Sequence, residues 1–162
     1  MIIRAAWFLT IAFLSAHSPM ATAAASATKI TAVKALLFYD KNGQFSRDIL
    51  SDPEDLWNTI IGEGSSGGAS HSTLVIVEIA GPPEGYVRNS RVDLIAVYKG
   101  FRRGRDLRVQ QTGSTGMFSD EGRSYVGFWL YDTGCSEVQI SVTLNGDQRQ
   151  KRQAIIPFRC GE

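Results

Sequence analysis

Apolar and polar residues alternate through the segment from Ser124 to Leu144, the most informative stretch of the chain. Every second residue is apolar on one face from Val126 to Leu130, and again from Val138 to Leu144. A period of two is typical of β-strands with one face in a core and one in water. Asp132-Thr133-Gly134 supplies turn residues between the two runs. The pattern predicts an antiparallel pair of strands, with Cys135 at the start of the second.

Further stretches have strand composition and are bounded by turn residues. They are Ile30–Tyr39, Thr73–Ala80, Arg91–Lys99, Arg105–Gln111 and Lys151–Arg159. The second is almost continuously apolar and β-branched, which predicts a central strand covered on both sides. The third and fourth are predicted to form a hairpin. Asp40 and Asn42 resemble part of a calcium loop, but the remaining carboxylates are missing, which favours a plain turn.

One short helix is predicted between Asp52 and Ile61. Ser51 or Asp52 can cap it, and Pro53 suits its first position. Leu56 and Ile60 are four residues apart and would share one face. Gly62 would end the helix. Because two apolar helical turns are not stable alone, we expect them to pack on an end or edge of the sheet.

About seven strands and one short helix predict an all-β fold, an antiparallel β-sandwich. This layout resembles the immunoglobulin and fibronectin type III folds in the broad sense, over most of Ile30–Cys160. The resemblance rests on strand number and spacing. Unlike true immunoglobulin domains, the chain has no Cys on Thr73–Ala80, and Trp129 lies on a late strand. The resemblance therefore implies an immunoglobulin-like sandwich and carries over no ligand-binding role.

Residues 1–27 have the pattern of a secretory signal. Arg4 supplies the positive charge, and the apolar run Ala5–Leu14 is too short to span a bilayer. Small-residue cleavage patterns at Ala21–Ala23 and Ala25–Ala27 predict cleavage near residue 23 or 27. An uncleaved anchor is the alternative, which the short apolar run disfavours. We expect a soluble mature protein in the periplasm or outside the cell.

Residues 28–162 are predicted to be a single β-sandwich domain of about 135 residues, long enough for a sizeable core. Loss of Arg4 reduces the 17 basic residues to 16, which equals the 16 acidic residues. A net charge of zero argues against a strong field toward nucleic acid or an anionic membrane. We therefore expect no nucleic-acid partner. No later apolar run is long enough for a membrane helix, so no membrane insertion is expected, and no cofactor is expected either.

Two cysteines, Cys135 and Cys160, are predicted to form a structural disulfide in an oxidising compartment. Matching apolar faces across the last hairpin sets Ile140 opposite Ile156. This register places Cys160 opposite Ser136, one residue from Cys135 and within reach of a bent strand end. Free thiols or a metal site are the alternatives, but structural zinc needs four ligands and one histidine remains after processing. No metal site is expected.

The glycine-rich loop of residues 62–72 matches two motifs. Gly62–Gly67 fits G-x-G-x-x-G, and Gly64–Gly68 fits G-x-S-x-G with Ser66 as the nucleophile. Both motifs work in a strand–turn–helix context, whereas here the predicted order is helix, loop and strand. This order argues against a phosphate cradle or a nucleophile elbow.

His71 is the one histidine that remains after processing, so a Ser66–His71 pair would have to use it. Candidate carboxylates to orient it are Asp40, Asp52 and Asp120. Nothing in the spacing selects one of them, and a solvated loop histidine is the favoured interpretation.

Basic residues cluster around the tip of the hairpin predicted from Arg91–Lys99 and Arg105–Gln111. They are Lys99, Arg102, Arg103, Arg105 and Arg108. The simplest interpretation is that charged hairpins prevent edge-to-edge association. The functional interpretation is a local site for an anion or a partner, such as envelope polysaccharide, phosphate or an acidic protein.

No coherent catalytic set emerges, so the favoured hypothesis is a non-catalytic exported module that binds a protein or glycan partner of the envelope or exterior. Its predicted contact surface is the Lys99–Arg108 hairpin. One alternative is a small exported serine hydrolase that uses Ser66 and His71. Another is an envelope assembly chaperone that donates a strand edge.

Overall fold

A computed structural model of the protein describes residues 27–52, 55–64, 67–146 and 148–161, with the side chain of Arg102 excepted. In these ranges the chain forms eight β-strands and no α-helix. The strands are β1 Lys29–Tyr39, β2 Gln44–Phe45, β3 Ser72–Ala80, β4 Arg91–Arg102, β5 Arg105–Ser114, β6 Arg123–Tyr131, β7 Val138–Asn145 and β8 Gln150–Ile156. No helix within these ranges is long and apolar enough to cross a membrane.

The strands form two antiparallel four-stranded sheets that enclose one apolar core. The first sheet has the order β2-β1-β3-β6, and the second has the order β5-β4-β7-β8. The alternating apolar residues of both sheets point inward, as shown by the complete burial of Leu37, Val77, Leu94 and Leu144. Burial of each such side chain stabilises the fold by roughly 1.5–3 kcal/mol. The predicted all-β class is confirmed, and the architecture is that of a β-sandwich.

The predicted pairing of the two most regular strands is wrong. β6 pairs with β3 in the first sheet, whereas β7 pairs with β4 and β8 in the second. The link from Asp132 to Glu137 therefore crosses from one sheet to the other. Gly134, at φ 117°, packs against Thr59 and Ile60 in this link. Alternation identifies a strand and its buried face, but it does not identify the neighbouring strand.

The predicted helix is also wrong within the described residues; Pro53 and Glu54 lie outside them. Asn58 has a φ of 45°, which an α-helix does not accommodate. The flanking backbone instead pairs with Arg159, whose carbonyl accepts from the Asn58 N–H at 2.8 Å and whose N–H donates to the Leu56 carbonyl at 3.0 Å. Leu56 is buried by this tertiary pairing, which replaces the local hydrogen bonds of a helix.

The predicted disulfide is confirmed, although the observed register of the last hairpin differs from the predicted register by two residues. Cys135 and Cys160 are bonded, with a Cα–Cα distance of 4.7 Å. Ile140 lies opposite Ala154, and Val138 lies opposite Ile156. A shift of two keeps every side chain on the same face, so hydrophobic pattern alone cannot distinguish the two registers.

Candidate binding surface

The outer face of the first sheet carries a cluster of aromatic side chains, which we call the aromatic face: Phe38, Phe45, Trp129 and Tyr131. Phe38 and Phe45 lie directly opposite each other on β1 and β2. Trp129 and Tyr131 lie two residues apart on β6, so they project to the same side. The cluster therefore joins both outer strands of this sheet.

The rings of the aromatic face contact one another across the central strand. Ring centroids lie 5.6 Å apart between Phe38 and Trp129, and 5.9 Å apart between Phe45 and Trp129. The rings of Trp129 and Tyr131 are nearly parallel, at an interplanar angle of 15°. Phe38 and Tyr131 both pair with Ser72 of β3. The small Ser72 side chain leaves room for the Phe38 and Trp129 rings to contact each other across β3.

Aliphatic side chains extend the aromatic face along the sheet. Leu36, Leu74 and Ile76 occupy outward positions of β1 and β3 and are half-buried by their neighbours. The predicted central position of β3 is confirmed, but no second layer covers its outer side in the described residues. Phe45 and Tyr131 remain 43% and 67% exposed. An exposed apolar surface of this kind is typical of an interaction site.

A charged cluster lies at the opposite end of the same sheet face. The Glu78 carboxylate, which is largely buried, contacts the guanidinium of Arg123 and lies 3.8 Å from Lys34 Nζ. The Thr31 hydroxyl donates to Glu78 Oε1 at 3.1 Å. The Glu78 carboxylate raises the pKa of Arg123. The carboxylate is thereby satisfied, and the cluster marks the polar boundary of the apolar surface.

The predicted basic hairpin does not form one convergent surface. Lys99 Nζ pairs with Asp106 Oδ2 at 2.5 Å, which neutralises its charge locally and lowers the pKa of Asp106. Arg108 lies opposite Val97 on the outer side of the second sheet. Arg105 is three residues away along β5 and therefore lies on the opposite side of that strand.

Arg105 lines a shallow depression with Phe101, Asp106, Leu107 and Asp132. Arg103 is exposed in the turn, with a φ of 52°, and the Arg102 side chain lies outside the described part. The hairpin remains a predicted contact surface, with basic residues that alternate in direction.

His71 is hydrogen-bonded to a carboxylate, and the sequence alone did not show which of the candidate aspartates this would be. Asp40 Oδ2 lies 2.6 Å from His71 Nδ1 and also accepts from the His71 N–H at 3.2 Å. Asp40 occupies the turn between β1 and β2, as predicted, and its N–H donates to the Ala69 carbonyl at 3.1 Å. Ser66 lies outside the described residues. No group of three or more potential metal ligands occurs among the described residues.

Sequence reasoning missed the aromatic face, although a signal was present. The outward positions of β6 should be polar in a sheet with one wet face, yet they hold Tyr125, Gly127, Trp129 and Tyr131. The contribution of Phe38 and Phe45 required the strand order.

The fold and this surface define the molecule as an all-β protein of two antiparallel four-stranded sheets with one solvent-exposed apolar sheet face. The chain matches no protein-family model, and no curated protein shows significant similarity to it.

Proposed function

We propose that this protein is a non-catalytic, exported binding module that holds a protein partner on the aromatic face. The observation that carries the proposal is the continuous apolar surface from Phe45 to Tyr131 on the outside of the first sheet. Aromatic side chains concentrate the binding energy of protein interfaces because they bury a large area at a small entropic cost.

The fold supports an immunoglobulin-like module of the fibronectin type III kind. Without the two-residue β2, the other seven strands divide into β1-β3-β6 and β5-β4-β7-β8. This division of three against four strands is characteristic of such sandwiches. The disulfide between Cys135 and Cys160 supports export to an oxidising compartment.

The chemistry of the surface favours a protein over a glycan. Leu36, Leu74 and Ile76 continue the aromatic face as an aliphatic floor without hydrogen-bonding side chains. Sugar hydroxyls lose solvation over these aliphatic residues without gaining hydrogen-bond partners, whereas apolar side chains of a protein gain from the contact. The basic hairpin is less suitable as the main surface because Lys99 is paired and the other residues diverge.

Site-specific photocrosslinking in the native host would test this proposal. A photoreactive residue at Phe45 or Tyr131 should yield a crosslinked partner protein, identified by mass spectrometry. Ile155 is a matched control, because it is 56% exposed and lies on the other sheet. Crosslinks only from Arg103 or Arg105 would instead support the hairpin. Binding of the purified protein to an immobilised glycan array, with no protein crosslinked in the host, would identify a glycan as the ligand and contradict the proposal.

A variant pair gives an independent check. Phe38→Gln combined with Phe45→Gln should abolish capture of the crosslinked partner, since it removes two of the rings that contact Trp129. Replacing Arg103 and Arg105 with Ser should leave capture intact. Thermal unfolding of each variant establishes that the sandwich is retained. Equal capture by the Phe38/Phe45 variant and the natural protein would rule out the aromatic face.

A second candidate function rests on the Asp40–His71 pair. A carboxylate bonded to Nδ1 is the arrangement that orients a histidine as a general base, and Ser66 is the candidate nucleophile. The pair ranks lower because both side chains are well exposed to water, at 61% and 39%. Labelling by a fluorophosphonate that is lost in Ser66→Ala and in His71→Ala would establish the hydrolase. Its absence would exclude a reactive serine.

A further inference from the structure

The four outer edges of the two sheets differ in how their outward backbone groups are hydrogen-bonded or protected by charge. This difference identifies a second interaction surface. β1 has an edge next to the short β2, and side chains close it. Ser46 Oγ accepts from the Leu37 N–H at 2.9 Å, and Asp48 Oδ1 accepts from the Ala35 N–H at 3.0 Å. Near the start of β1, the Gln150 amide accepts from the Ile30 N–H and donates to the Thr28 carbonyl.

The two edges of the second sheet carry exposed charges. On β5 these are Arg105, Asp106 and Arg108, and on β8 they are Lys151 and Arg152. Charged side chains on an edge strand prevent pairing with another chain because the charges would have to be desolvated or brought together. These edges are therefore protected against strand addition.

The outer edge of β6 is different. Its ends are closed. The Arg123 carbonyl accepts from the Ser119 N–H and the Arg123 N–H donates to Ser119 Oγ, while the carbonyls of Trp129 and Tyr131 accept from the side chains of Gln111 and Tyr98. All these closed groups belong to odd-numbered residues, so the odd-numbered backbone groups of β6 point away from β3.

Between these closed ends lie Tyr125 and Gly127. Among the described residues, nothing donates to or accepts from their backbone N–H and C=O groups. Gly127 is exposed, and no charged residue occurs between Arg123 and Asp132. An added Cβ at Gly127 would meet only Leu74 Cδ1, at 3.4 Å. Glycine in an edge strand is typical of a place where another backbone approaches closely.

We propose that a second copy of this chain pairs with the free edge of β6, antiparallel and about a two-fold axis at Gly127. Gly127 then lies opposite Gly127 of the partner, and Tyr125 lies opposite Trp129. The paired residues exchange about six hydrogen bonds, since each facing pair forms two. The Trp129 carbonyl has two lone pairs and accepts from Gln111 and from the partner. The first sheets of the two copies become one continuous sheet.

Side chains at both ends of the paired segment are complementary in this arrangement. The register places Arg123 of one protomer, whose guanidinium already contacts Glu78 and Glu121, beside Tyr131 and Asp132 of its partner, so a further carboxylate approaches Arg123 at each end. Arg123 and Asp132 are both exposed in the single chain. Tyr125, at 58% exposure, gains an aromatic cross-strand neighbour in Trp129. Tyr125 and Trp129 lie at equal distances from Gly127, so the strand can pair with itself about a two-fold axis at that residue. The pairing leaves Phe38 and Phe45 uncovered and does not depend on the proposed partner.

Sedimentation equilibrium of the processed protein, without its predicted signal, over a wide concentration range tests this inference. The natural protein should form a dimer. Gly127→Pro removes the central N–H on both copies, and a proline is tolerated there because this N–H faces away from β3. We expect its dimer dissociation constant to rise by about 100-fold, since two hydrogen bonds and close contact are lost.

Two further variants keep the result interpretable. Gly127→Ala retains the N–H and should remain a dimer, whereas Gly127→Lys retains the N–H but places like charges opposite each other and should be a monomer. If Gly127→Pro does not fold, the oligomeric state of Gly127→Lys tests the inference instead. A natural protein that remains monomeric at its highest attainable concentration, or a dimer that survives both Pro and Lys, overturns the inference. The Phe38→Gln/Phe45→Gln variant should still dimerise, and the natural protein diluted to its monomeric range should still capture the proposed partner, so the two proposals fail separately.

Discussion

The hydroxyl of Tyr98, on the second sheet, donates a hydrogen bond of 3.0 Å to the backbone carbonyl of Tyr131, on the first. Tyr98 is 1% exposed, whereas the Tyr131 side chain is 67% exposed on the aromatic face. One bond therefore ties the core of the second sheet to the strand that carries the candidate binding surface. It also closes one end of the free β6 edge.

The stability of the protein should fall in alkaline solution because of Tyr98. Burial, and then the nearby Asp132 carboxylate, raise its pKa from 10.0 to about 12. Since the folded state holds this proton more tightly than the unfolded state, the stabilisation is complete below pH 10 and is lost as the pH rises to 12. The loss amounts to about 2–3 kcal/mol. Urea unfolding at a series of pH values measures it.

Tyr98→Phe is the matched control for this pH effect. The variant should lose about 1 kcal/mol at neutral pH, because the Tyr131 carbonyl loses its donor. It should also show a smaller decline than the natural protein between pH 10 and 12. Parallel stability curves for the two proteins would contradict the assignment to Tyr98.

The disulfide should make a large contribution to stability. Cys135 and Cys160 are separated by 25 residues, and closure of a loop of this length stabilises the fold by roughly 3–4 kcal/mol in the chain-entropy model. A Cys135→Ser/Cys160→Ser variant should show this decrease in urea unfolding. Reduction of the natural protein should reproduce it. A decrease below about 1 kcal/mol would show that the unfolded chain is already restricted by other means.

Gly113 should not tolerate a side chain, whereas Gly116 should. A Cβ at Gly113 would lie 2.5 Å from Val126 Cγ1, where β5 packs against β6, and a Cβ at Gly116 would meet nothing within 4 Å. Gly113→Ala is therefore expected to cost about 1–3 kcal/mol through overpacking. Gly116→Ala should change the free energy of unfolding by less than about 0.5 kcal/mol. Equal effects would show that β5 can move away from β6.

Cleavage of the predicted signal is expected after Ala23 and not after Ala27. Thr28 is 2% exposed, and its carbonyl accepts from Gln150 Nε2 at 2.8 Å. Cleavage after Ala27 would place a charged α-amino group on this buried residue, which is costly without a partner. The intact mass of the exported protein should therefore correspond to a chain that starts at Ala24. A mass for a chain that starts at Thr28 would contradict this expectation.

Strand positions and buried faces could be predicted because they depend on local alternation. Thr73–Ala80 was predicted and β3 is Ser72–Ala80; its inward residues Val75 and Val77 are completely buried. The disulfide could also be predicted, because two cysteines in a chain with a predicted secretory signal have few other uses. The Leu56–Ile60 spacing wrongly predicted a helix, because the backbone near Leu56 pairs with the distant Arg159.

The candidate surfaces depend on strand neighbours, which alternation does not specify. Phe38 and Trp129 are far apart in the chain, and they meet only because β3 alone separates β1 from β6 and places the small Ser72 directly beside Phe38. The Asp40–His71 contact likewise required the turn after β1 to lie beside the start of β3.

The sequence alone determined that the chain is all-β, which side of most strands is buried, and which cysteines pair. These properties follow from side-chain period and composition, which act within a few residues. The tertiary structure decided that β6 and β7 belong to different sheets, that aromatic rings from three strands share one exposed face, and that β6 has an open edge. Each of these depends on hydrogen bonds between residues distant in the chain, and a period of two is compatible with many such pairings.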